Sequence, residues 1–300
     1  MRRARALASA TRPQFRLYIG RDEWGNDRYV SLPGITGITC GGLPGYGKTS
    51  LILSWLYQLA GTPAVQFVFI NGKGGVHYGD YAGWFDRAWI SCGDELLDAA
   101  EALAKVDTLM RDRMACVTEI TGSKNAWHLG PTPQFPLIVT IVDECHTFLD
   151  LEGVKGDRDA EKQVRACRYS AGQLVKKGRS VLMLTIFITQ KQTGDAIPTA
   201  IRDNCGFGVS FAVKTTDAAV AALGESIRKY PSYDPTDLQD MDTYVGVCTA
   251  ALRTGADPFV RLRVPEISEE AADQRARDTA YLRFDPAAQL AEVAPSLALA

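Results

Sequence analysis

The sequence predicts an α/β domain: a mostly parallel sheet covered by helices on both faces, with a small β-hairpin near the N-terminal end. Three observations predict it. Strand-length runs such as "AVQFVFI", "PLIVTIVDE" and "SVLMLTIFITQ" are apolar throughout, as strands buried on both faces are. These runs alternate with segments of helical apolar spacing, the order expected of parallel strands joined by crossover helices. One junction between strand and helix, "GLPGYGKT", is rich in glycine.

Taken in order, residues 1–14 are arginine-rich and free of acids, without the apolar core of a secretory signal. They read as a flexible basic arm that touches DNA or a neighbouring subunit, or as a solvated tail. Residues 15–32 read as two short strands around a Gly-Asn turn, a hairpin. A β-rich run at 35–40 meets the glycines, and "SLILSWLYQLA" then has helical spacing up to Gly61. The strand at 64–70 ends in "NGKGG".

Residues 94–113 place Leu96, Leu97, Ala100, Leu103 and Val106 on one helical face. A Pro/Gly-rich loop at 129–136 leads into the strand "PLIVTIVDE". A charged connection at 150–160 precedes a helix to about Lys177 and then a second buried strand. "GFGVSFAV" reads as a strand, "TTDAAVAALG" as a helix, and "TYVGVCTAA" with "FVRLRV" as a late antiparallel pair. Residues 266–300 read as one helix and a tail.

Three hundred residues can bury a large core, as one big domain or two modest ones. A net charge of −2 gives no global attraction to nucleic acid, so any DNA contact is expected from local basic patches or the channel of an oligomer. The seven cysteines are scattered and form no C-x-x-C pair, which fits free thiols in a reducing cytoplasm. His77, His128 and His146 have no ligand spacing and are given no metal role. The longest apolar run, 181–188, is far too short to span a bilayer, so no transmembrane segment is expected.

The chemistry begins at residues 42–49, which fit G-x-x-x-x-G-K-[ST] between a strand and a helix. Gly42, Gly45 and Gly47 permit a backbone that points successive N–H groups into one concavity, and the following helix adds its positive dipole end. Gly42, Leu43, Pro44, Gly45, Tyr46, Gly47, Lys48, Thr49 and Ser50 are therefore candidates for holding the phosphates of ATP. Lys48 would reach the β- and γ-phosphates, and the Thr49 hydroxyl would ligate Mg²⁺. Tyr46 reads as loop packing rather than a base-stacking residue.

A second acidic element, 137–144, ends in Asp143 and Glu144 about a hundred residues later. Asp143 would hold Mg²⁺ and Glu144 would polarise the attacking water. Neighbours at a strand end project to different sides, so the two carboxylates can take separate roles. The next strand ends in Thr189 and Gln190, expected beside Asp143, with Gln190 able to sense the γ-phosphate. The letters "DECH" also suggest a helicase. A two-lobed helicase would need a second lobe in the roughly 155 residues after Glu144, and neither a Ser-Ala-Thr element nor an arginine-bearing second-lobe motif is found. Cys145 and His146 are accordingly read as incidental.

From about residue 17 to 265 the chain resembles the FtsK/SpoIIIE family of double-stranded DNA translocases, including TraB-like plasmid transfer proteins. The resemblance rests on ordered segments. They are "YIGRDEWGNDRYVSL" before the P-loop, "FVFINGKGGVHYGDYAGW", "LMRDRM", "KKGRSVLMLTIFITQKQ" and "AIPTAIRDNCGFGVSFAV". It implies a RecA-like P-loop motor domain over 15–265 that forms a homo-oligomeric ring, usually a hexamer, around duplex DNA, with ATP at subunit interfaces. Lys48, Thr49, Asp143, Glu144 and Gln190 would carry the motor roles, and a membrane-bound partner protein is possible.

The chain departs from the family pattern at three places. Asn71 stands where Asp is common, "TQKQ" replaces "TQRP", and Gly208 stands where an arginine usually precedes its strand, so Arg179 or Arg202 would have to supply a trans-acting charge. No orientation-reading winged-helix module is read, so DNA contacts are expected to be to phosphates, with Lys73, Lys176, Lys177 and Lys191 as candidate basic positions. Besides the translocase, two readings remain open: a DECH-type helicase, and an assembly module that binds ATP and hydrolyses it weakly.

Overall fold

A computed structural model of the chain describes residues 15–75, 79, 81–191, 196–252 and 258–294. The basic arm at 1–14, His77 and the last six residues of the expected tail lie outside the described residues.

The hairpin forms as expected from β1 (Arg16–Asp22) and β2 (Asp27–Ser31). Asp22 closes its turn by accepting from the backbone N–H of Trp24 and Asn26. After β3 (Gly37–Gly41) comes helix α1 (Lys48–Leu59), then β4 (Val65–Asn71) and a short strand β5 (Ala88–Cys92). Helix α2 (Leu96–Thr121) leads to β6 (Leu137–Asp143), and α3 (Arg158–Lys177) leads to β7 (Met183–Thr189). The remaining elements are β8 (Phe207–Ser210), α4 (Thr216–Leu223), β9 (Val247–Ala250), β10 (Val260–Arg263), α5 (Glu269–Thr279) and α6 (Pro286–Val293).

All ten strands share one sheet, in the order β2-β1-β10-β9-β8-β3-β7-β6-β4-β5. The six strands from β8 to β5 are parallel, and β9, β10, β1 and β2 extend them as an antiparallel wing. Every residue of β4, β6 and β7 is buried, which is why their sequences carry no alternation. The chain runs from β3 to β4 in one direction across the sheet and from β5 through β6 and β7 to β8 in the other. With right-handed crossovers, α1 covers one face and α2 and α3 the opposite one. That reversal puts the C-terminal ends of β3, β7 and β6 side by side around a crevice, the place where open α/β sheets bind ligands.

Helix α3 shows how an element with mostly polar letters is fixed. Val164, Cys167, Ala171, Leu174 and Val175 recur at helical spacing and are buried, and the Asp157 side chain caps the N-terminus by accepting from two backbone N–H groups. Arg113, in the "LMRDRM" segment of α2, is buried and donates to the carbonyls of Pro136 (2.7 Å) and Val181 (3.1 Å). It ties the entries of β6 and β7 together, and burial pushes its guanidinium down to about 9.

Three expectations are corrected. Helix α2 runs eight residues past Arg113, because Cys116 and Val117 still face the core. Residues 266–300 hold two helices among those described. The break falls before Pro286, where Asp285 caps the second by accepting from the N–H groups of Ala287 and Ala288. Strand β5, whose central residues are only half-buried, was not read from the sequence. The residues that a second helicase lobe would have claimed instead build β7 to β10 of this same sheet.

Candidate active site

The glycine-rich loop leaves the C-terminal end of β3 and enters α1 at Lys48. It passes so close to its surroundings that side chains are excluded. Gly42 has φ +143° and a Cβ there would lie 2.7 Å from Cβ of Phe211; Gly47 has φ +103° and would meet Gly246 at 3.1 Å. The loop is also pinned by its own backbone: Leu43 N–H donates to Ala212 O (2.7 Å), and Gly246 N–H to Tyr46 O (3.1 Å). Tyr46 is buried with its hydroxyl donating to the Gln239 carbonyl, so it packs the loop as expected.

Lys48 is buried, and its Nζ donates to the carbonyls of Gly42 (2.8 Å) and Leu43 (2.6 Å). Burial holds its ammonium below the ordinary value, with the charge of Lys73 adding to the effect. Pro44, Gly45, Gly47, Lys48, Thr49 and Ser50 line one side of a cavity of about 470 Å³. Asp143 and Gln190 line the other side, with Lys73 and Tyr81. Of the residues singled out in the sequence, the structure therefore gathers Lys48, Thr49, Asp143 and Gln190 around one space. Gly42, Leu43 and Tyr46 support the loop from behind. The Ser50 hydroxyl is committed to the C-terminal segment: it donates to Pro265 O (3.0 Å) and accepts from Ile267 N–H (3.3 Å).

The two carboxylates diverge, as neighbours at a strand end should. Asp143 leans toward the turn after β4, where its Oδ2 lies 3.2 Å from Nζ of Lys73. Glu144 leans toward β7: its Oε1 accepts from the backbone N–H of Gln190 at 2.9 Å, and Nδ1 of His146 also lies 2.9 Å from it. Glu144 takes the left-handed conformation at φ +48°, which costs a non-glycine residue about 1–3 kcal/mol. Burial alone would raise its carboxyl, but the nearby His146 and the bond from Gln190 outweigh it and hold the group below its ordinary value.

Three sequence readings change here. His146 is not incidental, since it contacts Glu144 directly. Lys73 faces the cavity rather than a DNA surface, and Lys191 is paired with Asp150 at 2.7 Å. Lys176 and Lys177 are exposed at the C-terminal end of α3, where any lysine complements the helix dipole. Asn71 also gains a reason. Its amide donates to the carbonyls of Gly74 and Gly75, and its Oδ1 accepts from Lys73 N–H; an aspartate could not make the first two bonds.

At position 208 a Cβ would lie 2.1 Å from Ala222 O, so no arginine fits there. Tyr81, Ile267 and Glu269, which also line the cavity, had no signal in the sequence; they arrive through tertiary closure.

No family model matches the chain, and no curated protein matches it. Among solved structures, it is similar to the pCW3 conjugation coupling protein TcpA in its monomer form with ATPγS. The TM-score is 0.72 at 17% identity, over 90% of this chain and 71% of that one. It is also similar to the cytoplasmic domain of the type VII secretion ATPase EccC from Thermomonospora curvata. There the TM-score is 0.63 at 17% identity, over 89% of this chain and 31% of that one. For ATPases 2 and 3 of EssC from Geobacillus thermodenitrificans the TM-score is 0.60 at 17% identity, over 89% of this chain and 48% of that one. The chain thus spans less than half of the EccC and EssC chains. At such identities the likeness is one of fold, and the fold is the RecA-like P-loop fold.

Proposed function

We propose that this chain is the motor of an FtsK/SpoIIIE-type DNA translocase: a Mg²⁺-dependent cytoplasmic ATPase that works as a ring of identical subunits on double-stranded DNA. The observation that carries the reading is the convergence of Lys48, Thr49, Asp143 and Gln190 on one cavity, with Glu144 bonded to the backbone N–H of Gln190. The residues present fit a magnesium nucleotide. The loop is a close-backed cradle that a Cβ at 42 or 47 would disturb. The Thr49 hydroxyl and the Asp143 carboxylate are the hard oxygen donors that Mg²⁺ prefers, and the two ammonium groups suit phosphates.

On this reading Thr49 and Asp143 hold the ion, which when bound neutralises charge on the phosphates. Lys48 exchanges the carbonyls of Gly42 and Leu43 for phosphate oxygens. Glu144 takes the proton of the attacking water, and Gln190 registers the departure of the terminal phosphate. A charge supplied in trans comes from the opposite end of the sheet. Arg179 and Arg202 precede β7 and β8, which run parallel to β3, so both lie away from their own chain's loop. Arg179 is exposed, whereas the Arg202 side chain is 9% exposed and 3.4 Å from Asp203, which favours Arg179.

TcpA is a conjugation coupling protein and EccC a secretion ATPase, so the nature of the cargo is what needs testing. ATP turnover is measured with and without duplex DNA over a salt series, alongside particle mass. The translocase reading expects a severalfold rise with DNA that fades with salt, and a ring-sized particle. Turnover indifferent to DNA sinks the DNA cargo. Tight ATP binding without turnover favours the assembly module, and strand separation by a monomer favours the helicase.

A further inference from the structure

We infer that Glu269, at the start of α5, reads the nucleoside of the bound nucleotide by accepting a hydrogen bond from it. The inference rests on the ATPase reading above and extends it from the phosphates to the other end of the ligand. The cavity of about 470 Å³ is one space with two chemistries. Lys48, Lys73, Thr49 and Gln190 bring donors to it, whereas Leu53 and Ile267 bring apolar side chains and Glu269 a carboxylate. A carboxylate repels phosphates, so the triphosphate lies with the two ammonium groups. What lies against Glu269 is the uncharged part of the nucleotide.

Glu269 has no other employment. It is exposed, and among the described residues it makes no hydrogen bond or ion pair. Capping of α5 falls instead to Ser268, whose side chain accepts from Ala271 N–H (3.2 Å). A carboxylate accepts hydrogen bonds and donates none, so its partner on the nucleoside is a donor: a ribose hydroxyl or the exocyclic amino group of the base.

The wall that carries Glu269 is fixed at several points. The Ser50 hydroxyl holds Pro265 O and Ile267 N–H, which sets this segment beside the first turn of α1. Further along α5, the Arg275 guanidinium stands 5.1 Å from the centre of the Tyr57 ring, and its Nε donates to Tyr57 O (3.4 Å). Ala272 and Ala276 are buried beneath the helix. Glu270, in the same turn of α5 and also exposed, does not line the cavity. It shares the favourable interaction with the helix dipole, so it separates reading of the nucleoside from support of α5.

Titration calorimetry in Mg²⁺ tests this without turnover, on wild type, Glu269→Ala and Glu270→Ala. The probes are ADP, 2′-deoxy-ADP, 3′-deoxy-ADP and purine riboside 5′-diphosphate, which lacks the amino group of the base. Wild type should bind the analogue that lacks the donor about tenfold or more weakly than ADP, the usual worth of a hydrogen bond to a charged group. Which analogue it is identifies the donor. In Glu269→Ala the ratio should fall to about one, while Glu270→Ala keeps the wild-type ratio. Wild-type affinities equal for ADP and all three analogues overturn the inference alone, as does a ratio that survives in Glu269→Ala or collapses equally in Glu270→Ala. Failure of all three proteins to bind ADP overturns the nucleotide site and this inference together.

Discussion

Nζ of Lys73 lies 3.2 Å from Oδ2 of Asp143, across the gap between the turn after β4 and the end of β6. The aspartate side chain is almost fully buried, and the lysine is the ammonium beside it, standing where a divalent cation would be drawn. Asn71 builds the turn that presents it. On the proposed ATPase reading, Lys73 stabilises the empty site and competes with a divalent cation for Asp143.

Lys73→Met should lower the stability of the nucleotide-free protein by about 1–3 kcal/mol, the cost of leaving a buried polar group short of a partner. Mg²⁺ alone should restore more of the melting temperature in the variant than it adds to wild type. Thermal unfolding across a Mg²⁺ series checks this; equal Mg²⁺ responses in the two proteins would remove Lys73 from the metal's environment.

Gly208 lies within β8 against the backbone of α4, where the missing Cβ leaves room for Ala222 O. Gly208→Ala should cost about 1–3 kcal/mol through forced backbone shifts, and Gly208→Arg more. Arginine at the family's usual position would therefore weaken the fold without restoring any trans-acting charge. Urea unfolding of the two variants measures the effect, and wild-type stability in Gly208→Arg would contradict the packing.

Glu144 has a folded-state value below its ordinary 4.5 because His146 and Gln190 prefer it ionised. A carboxyl lowered on folding contributes stability that is present in full above 4.5 and lost as pH falls through the folded value. The melting-temperature difference between wild type and Glu144→Gln should thus shrink steadily as pH drops below 4.5. A difference that stays constant through that range would mean the bonds to Oε1 do not favour the charged form.

The residues legible in the sequence are those whose chemistry forces particular letters at a fixed spacing. Gly42, Gly47, Lys48 and Thr49 suggest a phosphate loop because few other residues allow that backbone and supply those donors. Asp143 is recognised because a fully apolar strand ends in an acid. What stayed hidden depends on closure across the sheet. Lys73 reads as a basic turn residue until β4 and β6 are paired with Asn71 opposite Asp143. His146 reads as a chance letter until Glu144 adopts a positive φ and turns toward it. Ser50 belongs by spacing to the loop, yet its hydroxyl serves Pro265 and Ile267, more than two hundred residues away in sequence. Strand β5 was missed because an edge strand with a half-buried centre carries neither the continuous nor the alternating pattern.

On the proposed reading Glu144 activates water at an ATP site built by Lys48, Thr49 and Asp143. Its most direct test is phosphate release measured under saturating Mg²⁺ and ATP for wild type and Glu144→Gln, with ATP affinity measured on both. Affinity should be near-equal and the rate lower by about 10²–10⁴-fold in the variant, the usual worth of a general base. Equal rates in the two proteins would contradict it.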